Sequence, residues 1–146
     1  VEPRIDRPRR GIVFRGVITL IMAGDERATL NGKTIVLTIV QDDVRDGIAT
    51  ALRGLPVHIQ EAHNAHDALC YLEEMRVDLL ITETQLPDMH SIQLIYKIKE
   101  TLGFRQLPIA IIADDSYNTP PMPLVEYLMR PISITQIRQR VCDLLL

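Results

Sequence analysis

Few residues in this 146-residue chain are placed to do chemistry. Glu83 stands where an apolar run ends and the chain turns, in LLITETQLPDMHS; Arg130 ends a second run in EYLMRP; Asp42 and Asp43 follow a third, TIVLTIV; and Asp114 follows LPIAIIA. A carboxylate and a guanidinium in such places can hold one another, because arginine's planar fork can grip a carboxylate through two parallel hydrogen bonds. A second reading leaves Glu83 to the backbone amides of the Leu86 turn. A third gives Arg130 an anionic metabolite or nucleotide.

Other candidates carry less. His63 and His66 have helical i, i+3 spacing, which suits a metal, but no third histidine stands close to them in sequence to help complete a tetrahedral site. Cys70 and Cys142 fall in apolar periodic segments and form no CxxC pair, so both are expected as reduced core thiols. There is no glycine-rich phosphate loop, and no Ser-His-acid or Cys-His set can be argued from spacing alone.

The acids and Arg130 depend on strands and helices to bring them together. TIVLTIV is continuously apolar, as a strand covered on both faces is. Asp42 or Asp43 is then expected to cap a helix burying Val44, Ile48, Ala51 and Leu52, closed by Gly54. VHIQEA reads as a second strand, followed by a helix capped by Asn64 and burying Ala65, Ala68, Leu69 and Leu72. DLLITE is the third strand, and its helix opens near Ser91 to bury Ile92, Ile95, Ile98 and Leu102. LPIAIIA and EYLM are the fourth and fifth, and a last helix starts at Ser133, with Gln136 as its capping-box partner and Ile134, Ile137, Val141 and Leu144 inward. Strands alternating with helices imply a parallel sheet covered on both faces. Between the last two strands DDSYNTPPMPLV carries Pro120, Pro121 and Pro123, so the fourth helix is expected to be shortened or lost. In open sheets of this kind ligands gather beyond the carboxyl ends of the strands, which is where Glu83, Arg130, Asp42, Asp43 and Asp114 fall.

Residues 33–146 are expected to form one such domain, preceded over 1–32 by a basic arm with Arg4, Arg7, Arg9 and Arg10 and a β-hairpin with turn signals at Gly24-Asp25 and Asn31-Gly32. The apolar stretch 17–23 is far shorter than the ~20 residues that span a bilayer, and Asp6 breaks the basic flank of a secretion signal, so the chain is expected in the cytoplasm. With no initiator methionine, it is expected to be a piece of something longer. A net charge of -3, with 47% hydrophobic and 24% charged residues, suits an ordinary globular protein and argues against general nucleic-acid binding.

DLLITETQLPDM and EYLMRP resemble the third- and fifth-strand signatures of the receiver domain of two-component response regulators. The resemblance covers about 33–146 and implies the flavodoxin-like doubly wound sheet of order 2-1-3-4-5. It also implies a set of roles that this chain fills poorly. The phosphoacceptor position, four residues before the proline of the Leu-Pro turn, falls on Glu83, and the usual aspartate is replaced. The strand-one acids that hold Mg²⁺ fall on Ile39 and Val40, leaving Asp42 and Asp43 two or three residues late. The strand-four hydroxyl falls on Ala113, the strand-five lysine on Arg130, and the aromatic three residues before it is kept as Tyr127.

Forming an aspartyl phosphate needs an aligned carboxylate, a Mg²⁺ to screen charge, and a cation and hydroxyl to receive the phosphoryl oxygens. Glutamate is one methylene longer, and an error of about 1 Å can cost ~100-fold in rate. The resemblance therefore implies a pseudo-receiver without enzymatic activity, with no cofactor and with Mg²⁺ possible but not expected, working by protein-protein contact. Glu83 and Arg130 are expected to pair and replace the switch; a glutamate that imitates a phosphorylated aspartate is the other possibility. With no hydroxyl at Ala113, Tyr127 is expected to pack rather than rotate. Expected partners are other signalling proteins and a second copy of this chain, through the hairpin or the last helix. Neither direct nucleic-acid binding nor a membrane is expected. The competing readings are a phosphorylatable receiver that binds Mg²⁺ through Glu83, Asp42 and Asp43, and a sensor of small anions at Arg130.

Overall fold

The computed structural model describes residues 30–113, 122–130 and 133–146. Five parallel strands run in the order 2-1-3-4-5: β1 (Lys33–Thr38), β2 (Val57–Glu61), β3 (Leu79–Glu83), β4 (Ile109–Ala113) and β5 (Val125–Met129). Between and after them lie α1 (Asp42–Ala51), α2 (Ala65–Glu74), α3 (Ser91–Tyr96) and α4 (Ile134–Leu145). The expected strand order and the four helices at these places are therefore present. The arm and the hairpin as far as residue 29, Asp114, and residues 115–121 of the last crossover lie outside the described residues.

The sheet is apolar on both faces because both are covered. Ile35, Leu37, Leu79, Ile81, Ala110 and Ile112 pack with α1 and α4, while Val36, Leu80, Ile109 and Ile111 pack with α2 and α3. This alternation along each strand follows from the period-2 pleat. β3 and β4, central in the sheet, are buried at every position. Leu30 has helical backbone and lies buried in the α1-α4 core, so the core begins ahead of Lys33.

Several ends differ from expectation. Helix α1 is capped by Gln41 without a side-chain hydrogen bond, and Asp42 and Asp43 occupy its first turn. They still favour the helix there, since acids offset the positive end of its dipole. His90 caps α3, its Nδ1 accepting from the Ile92 amide while Gln93 closes a capping box, so Ser91 is the first helical residue and is fully buried. A π-helical turn at Lys97–Thr101 carries α3 onward and keeps Ile98 in the core. Leu94 rather than Ile92 is buried in α3, and Ile134, expected inward, is 52% exposed at the start of α4. Further along α4, Ile137 and Val141 are buried as expected. Asn64 and Ser133 cap α2 and α4 as expected.

Candidate functional site

The parallel register brings the carboxyl ends of β1, β3, β4 and β5 to one edge. Glu83, the last residue of β3, is 3% exposed. A buried carboxylate needs partners for both oxygens, and it has them. Its Oε1 accepts from the Val40 amide at 2.9 Å, and its Oε2 accepts from Arg130 Nη2 at 3.1 Å.

Arg130 is positioned by the backbone as well: its amide donates to the Ala113 carbonyl at 2.7 Å, which continues the β4-β5 pairing one residue past β5. Its other terminal nitrogen, Nη1, reaches Gln41 Oε1 at 3.3 Å. The expected ion pair is therefore present, but its geometry corrects the expected fork. One guanidinium nitrogen serves Glu83 and the other serves Gln41, because the second Glu83 oxygen faces the Val40 amide. The amide that satisfies Glu83 comes from the chain just after β1 rather than from the Leu86 turn, where the Leu86 amide bonds the Met89 carbonyl instead.

The remaining candidates are placed as follows. Asp42 pairs with Arg45, three residues on, and its side chain is 83% exposed; Asp43 is exposed. The side-chain partners of Glu83 and Arg130 are instead the Val40 amide, Gln41 and each other. Arg45 also donates to the Ile39 carbonyl at 3.0 Å, which locks the turn from β1 into α1. Ile39, on a strand-one acid position implied by the resemblance, is buried in the α1-α4 core, and Val40 exposes its side chain while its amide holds Glu83. Among the described residues no three histidine, cysteine or acidic side chains come together to hold a metal ion. With Asp42 turned to Arg45 and Glu83 engaged by a guanidinium, this donor set does not fit a Mg²⁺ site.

Ala113 is buried at the end of β4. Tyr127 is half-buried against the α2-α3 core, and its hydroxyl lies 3.9 Å from Met122 Sδ. His63 and His66 are both exposed, and the partner of the His66 ring is Cys70 rather than His63.

Sequence reasoning missed Gln41, Arg45 and Asp88. The Asp42-Arg45 pair is visible as i, i+3 spacing. Asp88 is less legible: from the turn after β3 it accepts from the Ala65 and His66 amides at the start of α2, both at 2.9 Å. Burial would raise its pKa, but those amides and the His66 ring outweigh it, and the carboxyl ends below its ordinary 3.8.

Comparison with known proteins accords with this fold. The model of the response regulator receiver domain matches residues 37–141. Regulatory protein VanRc of Enterococcus gallinarum is 24% identical over 109 residues, which are 73% of this chain and 47% of the relative. The chain spans about half the length of that relative. A candidate response regulator from Chloroflexus aurantiacus superposes with a TM-score of 0.70 at 21% identity, over 79% of this chain and 98% of the other. The receiver domain of the hybrid histidine kinase CckA does so with a TM-score of 0.64 at 28% identity, over 77% and 99%.

Proposed function

Because this chain belongs to the response regulator receiver domain family of two-component signalling, we propose that it is a pseudo-receiver: it keeps the receiver scaffold but works by protein-protein contact, without accepting a phosphoryl group. The observation that carries this reading is the engagement of both Glu83 oxygens, one by the Val40 amide and one by Arg130. A phosphoacceptor must present a free oxygen in line with the incoming phosphorus. Here both are held, and the Asp42 carboxylate is engaged by Arg45.

The site then acts as a fixed tie between β1, β3 and β5. A buried pair of this kind adds little net stability over apolar packing but penalises alternatives that separate its members. Ala113 offers no hydroxyl for a relay to Tyr127. In this reading the domain has no enzymatic activity and needs no cofactor, resides in the cytoplasm, contacts neither nucleic acid nor a membrane, and presents one standing surface to a signalling partner. Self-association through the last helix or the N-terminal hairpin belongs to the same proposal, with Ile134 exposed on α4 as an apolar surface for it. The anion-sensor reading is weaker, because both terminal nitrogens of Arg130 already have partners.

The test is incubation with a small phosphodonor and Mg²⁺, followed by mass spectrometry and by NMR titration with beryllofluoride. No adduct at Glu83 and unmoved Glu83 and Val40 resonances are expected. A base-labile phosphoryl group on Glu83, or saturable beryllofluoride binding, overturns the proposal.

A further inference from the structure

Away from the strand ends, one cleft carries a nucleophile and a base together. Between α2 and the π-helical turn after α3 lies a cleft of about 240 Å³ lined by His66, Leu69, Cys70, Glu73, Lys97, Thr101 and Leu102, none of which belongs to the Glu83 site. His66 and Cys70 are one helical turn apart, and Nε2 of the ring lies 3.7 Å from Cys70 Sγ. With the ring proton on Nδ1, Nε2 accepts from the thiol. The His66 backbone is fixed by the Asp88 carboxylate on its amide, which anchors the residue carrying the ring. The half-buried Leu69 and Leu102 give the cleft an apolar wall, while Lys97 and Glu73 put one cation and one anion on its rim.

We propose that this cleft is a thiol-modification site, at which Cys70 exchanges with a small disulfide bearing amino-acid groups, of the glutathione type, to give a mixed disulfide. The chemistry of the lining selects that class: Lys97 suits the carboxylate and Glu73 the ammonium of a zwitterionic amino-acid unit, and the leucines suit its methylene chain. As Sγ attacks one sulfur of the reagent, the Cys70-to-reagent S–S bond forms and the reagent's own S–S bond breaks. The thiol proton passes to His66 Nε2 and from there to the departing thiolate. Cys70 is oxidised and the leaving half is reduced to a thiol, so no further oxidant is needed. Cys142, in contrast, sits against the α1-α4 core.

The test is reaction of the full chain with oxidised glutathione, read by peptide mass spectrometry over time, with neutral 2-hydroxyethyl disulfide run in parallel. One glutathionyl group on Cys70, forming faster than any on Cys142, is expected. His66→Gln should slow both reagents about tenfold, below the ~100-fold typical of a positioned base because the ring is exposed. Lys97→Met should slow glutathione disulfide but leave the neutral reagent unchanged, a split that general loosening of the fold does not produce. Equal rates at Cys70 and Cys142, or a His66→Gln protein reacting as fast as the parent, overturns the assignment.

Discussion

Arg130, one residue past β5, reaches across the edge of the sheet to Glu83 at the end of β3, with Nη2 3.1 Å from Oε2 and the intervening strand, β4, held by the Arg130 amide on the Ala113 carbonyl. The contact spans 47 residues of sequence and joins strands that are not neighbours in the sheet. It works by complementarity of charge at a place where water is largely excluded from the acid and only partly from the base: the side chains are 5% and 30% exposed.

Removing the base alone should therefore be costly. Arg130→Ala leaves a buried carboxylate with the Val40 amide but no cation, and a loss of about 2 kcal/mol is expected, below the ~3–5 kcal/mol for a fully buried pair because Arg130 is partly solvated. Glu83→Gln in the Arg130→Ala background should restore part of that, since a neutral amide needs no counter-charge. Urea denaturation of the parent, both single variants and the double variant gives the coupling, expected at about 1 kcal/mol or more. Additive losses would mean that the pair does not act as a unit.

The tie between the turn after β3 and α2 predicts an acid sensitivity. Asp88 titrates below its ordinary value in the fold. Its ionised form therefore stabilises the fold fully above the unfolded-state pKa, and that contribution is withdrawn as pH falls through the lower folded value. Asp88→Asn should reduce stability at neutral pH and show a shallower loss on acidification, as read by thermal melts across the acid range. Parallel curves for parent and variant would show that the carboxylate's charge is irrelevant to the cap.

How far the sequence carries the fold depends on the range of the physics involved. Apolar runs and helical stripes are local, and they place the five strands, the Asn64 cap and the Ser133-Gln136 box. The pairing of Glu83 with Arg130 was also legible, because both end strands that must emerge at one edge. Its single-nitrogen geometry was not, since that depends on where the Val40 amide and Gln41 fall once β1 has packed. Asp88 was invisible for the same reason: it caps a helix that begins more than twenty residues earlier, and no spacing rule reaches that far. The His90 cap is a subtler miss, because Ser91 is the stronger capping type, yet it is the first helical residue and is buried.

Leu124, in the turn before β5, has φ +62°, a left-handed backbone that a branched side chain tolerates poorly. Its carbonyl accepts from the Ile109 amide at 2.9 Å, so the strained conformation starts the β4-β5 ladder. The side chain is 46% exposed and has little burial to lose. Leu124→Gly should raise the melting temperature, the relief of about 1 kcal/mol being reduced by glycine's extra unfolded-state entropy. A lower melting temperature would place the side chain's packing above the strain.

Arg138 offers a last test of how the two covering helices are joined. Its Nη1 donates to the Ala51 carbonyl at 3.1 Å and to the Arg53 carbonyl at 2.9 Å, so a side chain from the middle of α4 satisfies carbonyls at the end of α1. The last carbonyls of a helix lack partners within it and carry the negative end of its dipole, so a guanidinium there both bonds and neutralises. α1 has no basic residue of its own in its last turn, which leaves that role to α4. Arg138→Met keeps most of the alkyl packing but removes both bonds. It should destabilise by about 1–2 kcal/mol and speed amide hydrogen exchange in the last turn of α1 while leaving α2 unchanged. Uniform acceleration across the domain would point instead to a general loss of packing.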